Sequence, residues 1–111
     1  MFELINEIQD TYDELREAVN KLQADGTEKA KTEQAYRISL KQEALKMKAD
    51  GMSVTLIDKV VYGVDDVAKK RFDRDVAATM YDNTIERINM LKLRLRILDE
   101  QANREWNSGQ K

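Results

Sequence analysis

Residues 66–106 run for forty-one positions without a proline or a glycine, and no other feature limits the fold so strongly. Advancing about 100° per residue, one apolar stripe persists to the end: Ala77, Met80, Tyr81, Thr84, Ile88, Leu91, Leu95, Leu98, Ala102 and Trp106. Steps of three and four mark an amphipathic helix. A second strip (Ala78, Ile85, Met90, Leu93, Ile97) lies beside it. The helix is therefore apolar over more than half its circumference in its last third, enough for two packing neighbours. Leu91 to Ile97 also alternate as a strand would, but the helical flanks and the absence of turn residues overrule that pattern.

The rest of the 111 residues agree with helix. Proline is absent and 36% of residues are charged, a mix that favours long helices in one domain. Cysteine and histidine are both absent. This excludes a disulfide framework, thiolate metal sites and the commonest general base. No apolar run approaches the roughly 20 residues of a membrane span, and the acidic N-terminus is unlike a signal peptide. A soluble cytoplasmic protein is expected.

Residues 2–24 read as a first helix. Met1, Ile8, Leu15 and Leu22 recur every seven, with Leu4, Thr11 and Ala18 between them and Ile5, Tyr12 and Val19 alongside. That seam is broader than a two-stranded coil requires. Asp25-Gly26 predicts a left-handed C-cap and Thr27 the N-cap of a second helix over 28–49. Glu17/Lys21 and Glu33/Arg37 have the spacing of helical ion pairs. Ala49-Asp50-Gly51 then repeats Ala24-Asp25-Gly26, so the two helices are expected to form an antiparallel hairpin about Gly26.

Residues 52–63 fit a short helix capped by Ser53 and holding Leu56, Ile57, Val60 and Val61, or an irregular link. Their β-branched content would also suit a strand, which would have nothing but a second copy to pair with. After Gly63, Asp65 or Asp66 opens the long helix, and 107–111 are expected to fray. On this reading the first two helices measure about 35 Å each and the third about 60 Å. Roughly 25 Å of it would stay uncovered unless it breaks near 73–75 or 82–83, or another subunit covers it. The sequence thus predicts an all-α fold: an antiparallel helical hairpin plus a long third helix, a coiled-coil-like bundle completed by oligomerisation to a dimer or higher.

Charge is unevenly spread. Residues 1–26 carry seven acids and two bases, residues 27–50 four acids and six bases, which suggests complementarity within the molecule. Glu7/Asp10 and Glu14/Glu17 could be set against magnesium-holding carboxylate pairs, but all lie on one helix and read as a solvated acidic face. The scattered glycines form no phosphate loop. No catalytic, cofactor or metal constellation emerges, so an enzyme is not expected. Two surfaces remain. Met90, Leu91, Leu93, Arg94, Leu95, Ile97, Leu98 and Trp106 form a candidate oligomer or partner interface. In it Arg94 either snorkels toward an acid of the first helix or meets a partner's carboxylate. Lys69, Lys70, Arg71 and Arg74, with Phe72, form the densest basic cluster. Acids four residues from Lys69, Lys70 and Arg71 (Asp65, Asp66 and Asp75) offset much of it.

Two resemblances follow. Gly51-Met52-Ser53 with Ile57, then Gly63-Val64 and Val67, resembles the helix-turn-helix of resolvase-type DNA-binding domains. It departs by one residue too many before Gly63 and by the acidic Asp65-Asp66 opening. A wider pattern comprises Ala35-Tyr36-Arg37, Gly51 to Thr55, Arg71 to Ala77, Tyr81 and Glu86 to Leu98. It resembles small all-helical proteins encoded by phages and prophages of Gram-positive bacteria. That resemblance implies an accessory protein of a bacterial host cell, near replication or recombination, with a host or phage protein as partner. It transfers no catalytic residue. Nucleic-acid binding through the basic cluster is the alternative expectation.

Overall fold

The computed structural model describes residues 1–109. Its helices are α1 (Phe2–Ala49), α2 (Val54–Val60) and α3 (Asp65–Gly109), with a 3-10 turn over Val61–Gly63 between the last two. No strand occurs among the described residues. The protein is all-α, and within each of its two compact units a stretch of α1 pairs with a stretch of α3.

The break predicted at Asp25-Gly26 does not exist. Residues 2–24 and 28–49 belong to one helix of 48 residues, with Thr27 inside it rather than capping a second. An interior glycine costs a helix about 1 kcal/mol relative to alanine. That is too little to stop a chain with good helix formers on both sides and packing partners along its length. The turn of the hairpin therefore falls at residues 50–64, not at Gly26. The tail also differs from expectation: 107–109 continue α3, while 110–111 lie outside the described residues.

Gly51 does end a helix. It is the one described residue with positive φ, at 89°. Its N–H donates to the Lys48 carbonyl at 3.0 Å, and the Met52 N–H reaches back to Met47 at 3.1 Å. These bonds form a Schellman cap, which occupies carbonyls that would otherwise be orphaned. Ser53 restarts the chain as its spacing predicts, its hydroxyl accepting the Leu56 N–H at 3.3 Å. Of the short helix and turn, Ile57 and Val61 are buried, while Val54, Leu56, Val60 and Tyr62 are exposed.

The two long helices are of nearly equal length, 48 residues for α1 and 45 for α3, where the sequence predicts about 35 Å beside about 60 Å. Burial on α1 repeats every seven through Leu4, Thr11 and Ala18, and Ser39 falls on the same line. On α3 it repeats through Ala77, Thr84, Leu91 and Leu98. A repeat of seven over two turns keeps one seam facing a neighbouring helix.

The chain divides into two compact units. One joins Met1–Ala24 to α3 from Asp82 onward; the other is Asp25–Tyr81. In the first, Ala18, Ile88 and Leu91 form a core flanked by Leu15 and Leu22. Lys21 donates to the Thr84 hydroxyl at 3.4 Å and Arg94 meets Glu14 at 3.6 Å, so position falls on one helix as it rises on the other: the arms run antiparallel. Thr11, fully buried, turns its hydroxyl onto the Glu7 carbonyl at 2.7 Å, which removes the cost of an unpaired polar group.

The second unit has a more polar seam. Ser39 donates to Asp66 at 2.5 Å, and Lys70 holds both Asp66 carboxylate oxygens at 2.8 and 2.9 Å. The Arg74 guanidinium stacks over the Tyr36 ring at 4.4 Å and approaches Glu33 at 3.7 Å. Lys29 lies over the Tyr81 ring at 4.7 Å. Val67 and Ala77 supply buried apolar contacts.

Candidate interaction surfaces

Alternation of burial along α3 splits the predicted interface in two. Leu91 and Leu98 are 7% exposed and Leu95 is half-buried. Leu91 packs against Ala18 of α1 in the core of the first unit. Met90, by contrast, is 70% exposed, and Leu93, Ile97 and Trp106 are open as well. Met90, Leu93 and Ile97 line a shallow groove of about 240 Å³ with Arg94 and the edge of Leu98. Arg94 lies at the boundary, its head directed to Glu14 across the seam. At 3.6 Å and half-exposed on both sides, that pair adds little stability.

The broad apolar seam that the sequence predicts on α1 separates into an inward part and an open strip. Ile5, Tyr12 and Val19 recur every seven, yet each is about half exposed, and Phe2 is 85% exposed. The heptad pattern carried the signal: two lines of positions suffice for one neighbour, and this third line faces outward. Around the helix on the opposite flank lie Glu3, Glu7, Asp10, Glu14 and Glu17.

The basic cluster is largely engaged within the chain. Lys70 is held by Asp66. Arg74 pairs with Asp75 at 2.9 Å rather than leaving Asp75 to Arg71, and that hydrogen bond holds its guanidinium above the usual arginine range. Arg71 stacks at 5.8 Å from the centre of the Tyr62 ring. Lys69 is exposed. Asp66 sits below the ordinary carboxylate range, chiefly through its hydrogen bond from Lys70 and next through that from Ser39. The helix-turn-helix likeness meets the same chemistry: the would-be recognition helix opens on Asp65-Asp66, and Asp66 is spent on Ser39 and Lys70.

A cleft of about 440 Å³ in the second unit is walled by Gly26, Lys29, Glu33, Arg74 and Tyr81. Its cations already face the Tyr81 and Tyr36 rings, so it reads as an open packing groove. Among the described residues no group of three or more acidic, histidine or cysteine side chains could hold a metal ion. No described helix is long and apolar enough to cross a membrane. No protein family matches the chain. Neither a curated protein nor a solved structure shows significant similarity to it.

Proposed function

We propose that this chain is a non-enzymatic interaction module in which α1 and α3 pair as an antiparallel coiled coil and two or more hairpins associate. One observation carries the reading: Ile5, Tyr12 and Val19 keep seam spacing but stand open to solvent. A two-stranded coil uses only two lines of positions. A third apolar line, lined up beside them, is the pattern of a helix with a second neighbour. The resemblance to phage and prophage proteins supplies a setting, an accessory protein in the cytoplasm of a bacterial host that acts by binding other proteins.

Sedimentation equilibrium over a wide concentration range tests this. Self-association gives a mass of twice 12.9 kDa or more; a monomer at every concentration overturns it. The nucleic-acid alternative rests on Lys69 and Arg71, which make no ion pair among the described residues, since Lys70 and Arg74 are held by acids. It requires salt-dependent retention of DNA or RNA that is lost when Lys69 and Arg71 are neutralised.

A further inference from the structure

We propose that the partner on the Ile5, Tyr12, Val19 flank of α1 is the same flank of a second copy, the two helices lying antiparallel across a two-fold axis at Tyr12. The inference rests on the self-association just proposed and assigns it a face and a register.

Spacing comes first. Ile5 and Val19 each stand seven residues from Tyr12, so the strip is symmetric about it. Antiparallel pairing about that centre puts Ile5 on the partner's Val19 and Tyr12 on the partner's Tyr12, the self-complementary contact that a two-fold interface demands.

Charge is the second argument. Around this flank lie Phe2, Ile5, Gln9, Tyr12, Arg16 and Val19, with Asp13 at its edge, and the cation of Arg16 is balanced by its pair with Asp13 at 3.4 Å. The five acids Glu3, Glu7, Asp10, Glu14 and Glu17 occupy the other flank. Two copies meeting on the neutral side turn both acidic rows outward and bury no like charges. A basic partner would be drawn to the acidic side instead.

Area is the third. An aromatic side chain offers 150–250 Å² and the aliphatic ones somewhat less, so the exposed fractions of Phe2, Ile5, Tyr12 and Val19 amount to roughly 400 Å² per copy. That lies within the size of patch that marks an interaction site on a monomer. Two copies contribute roughly 800 Å², close to the apolar share of a standard interface of about 1,600 Å².

The absence of native cysteine makes the register directly readable. On mild oxidation Tyr12→Cys should cross-link to a covalent dimer. Ile5→Cys alone should not, its two copies lying about 21 Å apart along the axis, whereas Ile5→Cys mixed with Val19→Cys should. Tyr12→Glu should weaken the dimer at least ~30-fold in Kd, with helical circular dichroism retained because the side chain is half-exposed. The proposal is overturned if the dimer survives Tyr12→Glu and cross-links through Met90→Cys on the other helix instead; self-association would then stand on a different face. A wild-type monomer at all concentrations removes both readings together.

Discussion

The Tyr81 ring packs against α1 at Gly26: a Cβ built on that glycine would stand 3.4 Å from the ring's Cε2 and 3.8 Å from Cδ2. The glycine is a shallow notch in a continuous helix, filled by an aromatic from fifty-five positions along the chain. Alanine there would make ordinary van der Waals contact with the ring and recover helix propensity. Gly26→Ala should therefore leave stability unchanged or raise it by up to about 1 kcal/mol, read from the urea midpoint. Had Gly26 been a left-handed cap, the same change would destabilise. Gly26→Leu, which must displace the ring, should cost about 1–3 kcal/mol.

At Gly51 the sign reverses. Its φ of 89° is a conformation in which a Cβ crowds the following carbonyl, so Gly51→Ala should lose about 1–2 kcal/mol although open space surrounds the position. Comparing Gly26→Ala and Gly51→Ala in the same denaturation assay tests both helix ends at once.

Neighbours Met90 and Leu91 should behave as opposites. Leu91→Ala empties part of the core shared with Ala18 and Ile88 and should cost about 2–4 kcal/mol. Met90→Ala removes an exposed side chain and should stay within about 0.5 kcal/mol. Equal effects of the two changes on thermal midpoint would contradict the placement of the seam.

Asp66 gives the acid limb of the stability curve a specific owner. Its folded-state pKa is depressed by Lys70 and then Ser39. Its contribution is accordingly complete above the ordinary carboxylate value near 4 and lost as pH falls through the lower, folded value. Asp66→Asn should lower the denaturation midpoint at pH 7, and the two proteins should converge as the pH falls through the folded-state value of Asp66. A gap that persists unchanged into acid would show that the charge is not what matters there.

Much of this was legible locally. Stripes of threes and fours placed Ile88, Leu91 and Leu98 inward, because a helix with that pattern has only one way to bury it. Ser53 and Gly51 were readable as caps since each acts through its own backbone neighbours. Tyr36, Ser39, Asp66 and Arg74 carry no signal as a group in the sequence. Their association joins positions twenty-seven and more residues apart, and polar side chains leave no hydrophobic period to follow.

The chain on its own fixes helix type, the seven-residue seam and the stop at Gly51, all of which depend on interactions within a few turns. Two identical Ala-Asp-Gly tripeptides mark the limit of that information. One ends a helix and the other lies within it, because the first glycine is met by Tyr81 and by packing along α3 while the second is followed by a cap and a turn. Which apolar line stays open is likewise decided by distant residues: only the docking of α1 along α3 separates Leu91 from Met90, and the seam from Tyr12.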